Sequence, residues 1–297
     1  MRLGIDWGGT KIEIIALSNE GLELHRQRVD TPRDDYEGCL EAVRFLVEAA
    51  EAATGETGTL GLGIPGSLSP RTGLVKNANS TWMNGKPLDK DLQAVLGRPV
   101  RIQNDANCLA VSEATDGAGA GAHIVHAIII GTGSGSGIAI DANAHLGANG
   151  IGGEWGAITV PWLRPEEYPG PDSWIGHKGA IDRWCSGTGF QLDYKERTGK
   201  LLKGHQIMEL KRAGDSVATE VYEAYVSRLA RALAMSANLL DPDVFVLGGG
   251  MSNVDELYED LPPAMAPYIF SDTFETPIRK AVHGDSSGVR GAAWLWG

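Results

Sequence analysis

Short apolar runs open the chain and longer amphipathic ones follow. Residues 2–6, 11–17 and 22–29 are either dense in Leu, Ile and Val or alternate apolar with polar positions, the signatures of buried and half-buried strands. From about Tyr36 to Ala53 the rhythm changes. Leu40, Val43, Leu46 and Val47 recur at helical spacing and predict a helix with one face on a core. GLGIPG (61–66) reads as a short buried strand ending in a turn, and VRIQNDANCLAVSEA (100–114) as a strand running into a helix capped by Asn104 or Asp105. HIVHAIIIGTGSGSGIAID (123–141) then begins a second β-turn-β unit. It matches the opening stretch LGIDWGGTKIEI (3–14): an apolar strand enters a small-residue turn with Thr and Gly, and an apolar strand leaves it. That likeness predicts an internal duplication.

Between Gly147 and Gly189 the periodicity fades into Gly, Pro and Trp, which predicts a long irregular insert. Trp155, Trp162, Trp174 and Trp184 argue that it is ordered. Val217 to Leu240 is a long helical pattern stopped by DPD, VFVLGGGMS (244–252) is a strand running into three glycines, and GDSSGVRGAAWLW (284–296) predicts a capped closing helix that returns to the first domain.

Charge narrows the partners. Lys and Arg number 26 against 38 Asp and Glu, a formal net charge of −12 over 297 residues, without a basic run. This argues against nucleic acid and against an anionic membrane, and leaves a small molecule. Cys39, Cys108 and Cys185 are odd in number and far apart, as reduced thiols are, and no leader pattern or apolar run of membrane-spanning length occurs. A cytoplasmic protein is expected.

Three glycine turns, DWGGTK (6–11), GTGSGSG (131–137) and GGG (248–250), each follow an apolar strand. Successive backbone N–H groups form a concave anion site, and Thr hydroxyls with a Lys suit phosphate oxygens. One such turn is ordinary; three predict a nucleotide site. None is a P-loop or a dinucleotide fingerprint. Asp105 in NDAN is either a helix cap or a carboxylate that accepts a proton from a substrate hydroxyl in phosphoryl transfer. Asn77, Asn79 and Asn84 in KNANSTWMNG form either a polar loop or a set of amides for sugar hydroxyls beside Trp82. Glu154 in GGEWG is either a surface carboxylate or part of a pocket with Trp155.

DWGGTK, GIPG, NANSTW, NDANC, GTGSGSG, GGEWG, SGTGF and VLGGGMS, in this order and over essentially the whole chain, resemble the ROK family of bacterial sugar kinases. TPRDDY (31–36), KNANSTW (76–82) and HGDSSGVRGAAWLW (283–296) resemble its fructokinase/mannokinase branch. The resemblance implies an α/β, actin-like ATPase fold, a duplicated RNase H-like architecture with two lobes around a nucleotide/sugar cleft. The lobes would be 1–116 with 283–297, and 117–282 carrying the insert 147–189. It further implies a homodimer, ATP with Mg²⁺, and transfer of the γ-phosphate to a hexose hydroxyl. D-Fructose to D-fructose 6-phosphate is the first expectation, with mannose, glucose or an N-acetylhexosamine as alternative acceptors. A non-catalytic sugar-binding regulator is the reading from another class; it would not need Asp105 and three phosphate turns, and family regulators carry a DNA-binding domain ahead of the first strand, where this sequence begins with the strand.

Role by role, Asp105 resembles the catalytic base and a sugar ligand, and Asn79, Asn104, Glu154 and Asp182 resemble further sugar ligands. Asp6, Gly8, Gly9, Thr10, Lys11, Thr132 and Gly133 match the phosphate loops, and Gly249 and Gly250 the adenosine-side turn. The family commonly carries a zinc site made by one His and three Cys. At those positions this sequence has Ala157, Ser173, Ile175 and Ala180, which cannot form a tetrahedral N/S site. No structural zinc is therefore expected, and burial of Trp155, Trp162, Trp174 and Ile175 is expected to hold the loop in its place.

Overall fold

In the computed structural model, which describes residues 1–284 and 287–297, the apolar runs of the first half build one sheet and its flanking helices. The elements are β1 (Arg2–Trp7), β2 (Lys11–Leu17), β3 (Glu23–Asp30), α1 (Tyr36–Thr54), β4 (Thr59–Ile64), β5 (Ser67–Leu68), β6 (Val75–Lys76), α2 (Leu88–Leu96), β7 (Val100–Asn104) and α3 (Asp105–Thr115). The sheet order is β3-β2-β1-β4-β7, antiparallel across β1, β2 and β3 and parallel from β1 to β4 to β7. The charged strand β3 takes the edge, where its Arg28 faces Glu13 across the ladder. On one face α1 buries Leu40, Val43, Leu46 and Val47 with Leu3, Ile5, Ile12 and Ile14. Asp35 caps that helix by accepting from Gly38 N at 2.9 Å, and Gly55 ends it in the left-handed conformation, φ 71°.

The remaining elements are β8 (Ile124–Ile130), β9 (Ser134–Ile140), β10 (Asn143–Ala144), α4 (Ile181–Trp184), α5 (Gly187–Thr198), α6 (Gly204–Arg212), α7 (Ser216–Leu240), β11 (Val244–Gly248), α8 (Glu256–Met265), β12 (Ile278–Lys280) and α9 (Ser287–Ala293). Their sheet runs β10-β9-β8-β11-β12. This repeats the plan of the first: the earliest strand is central, with its hairpin partners on one side and a βα-type succession on the other. The internal duplication read from the two hairpins is present, and the chain has the actin-like α/β fold of the sugar kinases it resembles.

By contacts the chain forms two compact units: Met1–Val125 with Gly137–Gly153 and Val282–Gly297, and His126–Ser136 with Glu154–Ala281. Residues 137–153, expected in the second lobe, thus pack with the first. There Gly137 lies so close to α3 that a Cβ on it would overlap the Ala106 carbonyl. The closing helix α9 lies on the first sheet, as its small residues suggest. A Cβ on Gly4 would overlap the Val289 carbonyl, and one on Gly61 the Ala292 carbonyl. The capped start expected for this helix falls partly on Asp285 and Ser286, which lie outside the described residues.

The second unit is organised by α7, capped by Asp215, which accepts from Ala218 N at 2.7 Å. Tyr225, Leu229 and Leu233 bury against the cluster that contains Phe245 and Leu247. The insert is fastened by Trp155 and Trp184, both buried in the same core, and by a buried ion cluster. Arg231, 0% exposed, donates to Glu167 at 2.7 and 2.8 Å and to the Trp162 carbonyl at 2.7 Å, while Arg228 joins Glu167 to Asp193.

Candidate active site

In the first unit Asp6 lies near the carboxyl end of β1, and α9 passes it at Gly288, where a Cβ would stand 3.6 Å from Asp6 Oδ2. Burial, followed by the negative charges of Asp105 and Glu13, pushes the Asp6 carboxyl up to about 6, against the pull of Arg28. Asp105 opens α3 and is exposed. Its Oδ1 accepts from Ala106 N at 2.8 Å, and Asn104 Oδ1 caps the helix through the same N–H at 2.9 Å. A carboxylate in this position has the favourable end of the helix dipole behind it. The Asn104 amide donates to the Gly66 carbonyl at 3.1 Å, so this side chain ties the GIPG turn to α3.

The glycines of the first turn have internal reasons. A Cβ on Gly8 would come within 3.2 Å of the Lys11 carbonyl, and one on Gly9 within 3.2 Å of Ser80 Oγ. Thr31 fastens the turn from β3's end, donating Oγ1–H to the Gly8 carbonyl at 2.8 Å and N–H to the Thr10 carbonyl at 3.0 Å. Thr10 and Lys11 remain exposed, as does Asn79. Asn84, read with Asn77 and Asn79 as either a polar loop or amides for sugar hydroxyls, has its carboxamide bonded to the backbone of Ala78. Trp82 packs on the first unit's core.

In the second unit a cavity of about 710 Å³ opens beside the GTGSGSG turn. Gly131, Thr132, Thr188, Gln191, Lys203 and Asn253 give it polar groups, and Met208, Met251 and Val254 an apolar wall. The turn is closed by Gly131 N donating to the Gly133 carbonyl at 2.9 Å, and it is locked to α5 by Gly187 N donating to the Gly131 carbonyl at 2.7 Å. Of the pair expected on the adenosine side, Gly249 has φ 80° and a Cβ on it would sit 2.9 Å from Ile130 C, so a glycine is required there. Gly250 lines the cavity and is open on its Cβ side. Arg212, also in the wall, is held by Glu256 at 2.8 and 2.9 Å, and hydrogen bonding from that guanidinium lowers the Glu256 carboxyl to about 2.

Asp182, expected among the sugar ligands, has both oxygens engaged: Ser134 N donates to Oδ1 and Trp174 Nε1 to Oδ2, each at 2.9 Å. A Cβ on Gly133 would come within 2.6 Å of that Oδ1, which explains the glycine. Glu154 is exposed and precedes a short 3-10 turn whose first residue, Trp155, is buried edge-on to His126. Burial of all the insert's tryptophans is not what holds it. Trp162 is 48% and Trp174 79% exposed. Trp155 is buried, and near the exposed Trp174 hydrogen bonds add to the fastening. His177 Nε2 donates to the Ala157 carbonyl and Ser173 Oγ to the His177 carbonyl, both at 2.6 Å. Among the described residues no group of three or more His, Cys, Asp or Glu stands ready for a metal ion.

Sequence reasoning missed Thr188, Gln191, Lys203 and Asn253 in the cavity wall. The signal was present in SGTGF: Ser186 caps α5, accepting from Gly189 N at 3.0 Å, and small residues at a helix start let a ligand approach backbone N–H groups.

Comparison with known proteins agrees with this frame. The chain is 39% identical over 301 residues to an N-acetyl-D-glucosamine kinase of Haemophilus influenzae (strain 86-028NP), covering 100% of this chain and 99% of the relative. The crystal structure of a ROK hexokinase from Thermus thermophilus matches with a TM-score of 0.88 at 30% identity, over 99% of this chain and 97% of that one. A ROK family glucokinase from Streptomyces griseus, solved with glucose and AMPPNP, matches with a TM-score of 0.77 at 27% identity, over 99% and 98%. None of the three is a fructokinase, and the expected branch has no support here. The ROK family model itself covers residues 2–297, and over that length the chain belongs to the ROK family.

Proposed function

We propose that the chain is an ATP-dependent hexose kinase whose preferred acceptor is N-acetyl-D-glucosamine. The observation that carries the acceptor is identity of 38 to 40% over essentially full length to N-acetyl-D-glucosamine kinases. The phosphoryl donor follows from the second unit's cavity. Its glycine turns offer backbone N–H groups and the Thr132 and Thr188 hydroxyls to phosphates, and its Met and Val wall suits a base.

Asp105 is the group that takes the proton. As a sugar oxygen bonds to the γ-phosphorus, its O–H proton passes to the Asp105 carboxylate, and the bond from that phosphorus to the β–γ bridging oxygen breaks to leave ADP. Asn79 in the first unit and Glu154 in the second, both exposed, bind sugar hydroxyls, while Asn104 holds the first unit's Gly66 turn. When bound, Mg²⁺ neutralises charge on the phosphates. Asp6 would suit the one or two carboxylates such an ion takes from protein, since burial and the negative charges of Asp105 and Glu13 raise its proton affinity more than Arg28 lowers it. Asp182 acts on the backbone of the GTGSGSG turn, keeping Ser134 in place.

The test is ADP release over N-acetyl-D-glucosamine, N-acetylmannosamine, glucose, mannose and fructose. The highest kcat/KM is expected for N-acetyl-D-glucosamine, by about tenfold or more over glucose, a difference of about 1.4 kcal/mol in transition-state binding. A preference for a hexose without the acetamido group would overturn the acceptor and leave the kinase.

A further inference from the structure

The stretch KNANSTWMNG supplies three amides, and the structure gives them different tasks. Its ends are pinned at Val75, whose N–H donates to the Lys86 carbonyl at 2.9 Å and whose carbonyl accepts from Gly85 N at 2.8 Å. Within the loop Asn84 closes a second, reciprocal pair: its Oδ1 accepts from Ala78 N at 2.9 Å, and its Nδ2 donates to the Ala78 carbonyl at 3.0 Å. This pair fixes the residue between Asn77, held at φ 58°, and Asn79. Ala78 and Ser80 are 5% and 2% exposed, whereas Asn79 between them is exposed, as are Asn77 and Asn84.

The clamped backbone reaches the rest of the first unit's site. Gly66, at φ 100°, lies so close that a Cβ would stand 2.6 Å from the Lys76 carbonyl and 2.8 Å from Ala78 N. Its carbonyl receives Asn104 Nδ2, and Asn104 caps the helix that Asp105 begins. Asn84, Ala78, Gly66 and Asn104 therefore form one continuous path.

We propose that Asn84 is a positioning residue for the sugar end of the site, fixing Ala78 so that Asn79 is presented in register with Asn104 and Asp105. This rests on Asn79 being a sugar ligand, as argued above. The carboxamide is the group the task needs, because a donor and an acceptor must meet one residue's carbonyl and N–H together. Aspartate keeps the acceptor for Ala78 N but sets an anion against the Ala78 carbonyl.

The experiment compares wild type, Asn84→Asp, Asn79→Ala and the double variant in the full chain, measuring KM for sugar and for ATP, kcat, and hydrogen exchange in residues 76–84. Asn84→Ser serves as a second probe should the aspartate variant fail to fold. Asn84→Asp is expected to raise the sugar KM about tenfold with ATP KM within about twofold, and to speed exchange in 76–84 alone. The double variant should fall within about twofold of Asn79→Ala, since the first residue acts through the second. An unchanged sugar KM, parallel rises in both KM values, or additive effects in the double variant would each overturn the proposal. If the wild type does not turn over N-acetyl-D-glucosamine, the acceptor reading fails by itself, and the same four proteins are compared on the hexose that is turned over.

Discussion

Asp6 and Asp105 sit in one unit, the first partly buried and the second exposed, so they give separable tests. Asp105→Asn keeps the cap made by Asn104 and should fold with an unchanged melting temperature. It should lose about 10²- to 10⁴-fold in kcat, what a positioned base contributes. Retention of more than about a tenth of the wild-type rate would remove Asp105 from the base role. Asp6 carries a folded-state value of about 6 against an ordinary 3.8. The folded chain therefore holds a proton that the unfolded chain has released, and stability falls as pH rises from about 4 to about 6. Asp6→Asn should raise stability by about 3 kcal/mol at neutral pH and above, and by nearly nothing below about pH 4. Denaturant melts at both pH values check this; equal gains at the two would place the cost elsewhere. At this scale the sequence was legible where a residue's partner is local. Asn104 and Asp105 stand at a strand-to-helix junction, which any cap reading finds. Asn84 was left open between a polar loop and a sugar amide, and Asp182 was expected near sugar only through the resemblance, because the backbone groups they bond, at Ala78 and Ser134, depend on how loops close.

Elements with strong periodicity, β1, β2, α1 and α7, were read to within a few residues. Helices α5 and α8 were not. Helix α5, which lines the second unit's cavity, begins inside what reads as insert and buries Gly187, Gly189, Phe190, Asp193 and Tyr194, a mixed set without an apolar stripe; α8 contains Pro262 and Pro263. Packing, not pattern, decides such helices. The contact of α3 with α9 gives a direct test of close packing, since a Cβ on Gly291 would overlap the Cys108 carbonyl. Gly291→Val should cost about 3 kcal/mol or more, seen as a lower denaturant midpoint; a loss under about 1 kcal/mol would mean that the helices part easily. The insert is the other element with a clear expectation. Purified untagged protein should contain no stoichiometric zinc, and activity lost on chelation should return with Mg²⁺ alone, because the former ligand positions are Ala157, Ser173, Ile175 and Ala180 and the loop is fastened through Glu167, Arg231 and His177. One equivalent of tightly held zinc would contradict this.

Across the whole molecule, the duplicated plan of the two sheets separates first from last in an uneven way. The second unit ends at Ala281, whereas the first needs residues at both extremes of the sequence. Helix α9, residues 287–293, covers β1 and β4, and Glu113 on α3 holds the returning segment by accepting from Val282 N at 3.1 Å and Ser287 Oγ at 2.9 Å. During translation, strands made at the start must wait for a helix made almost at the end. A nascent chain in which residue 281 has just cleared the ribosome should hold a protease-resistant second unit and a first unit that is still cut readily. Both should resist once residue 297 has cleared the ribosome. Pulse proteolysis of arrested chains distinguishes this order from simple N-to-C folding, in which the first unit would resist at residue 281. In the cell, the unit that carries the proposed sugar-binding and proton-accepting residues is thus the one left longest to chaperones.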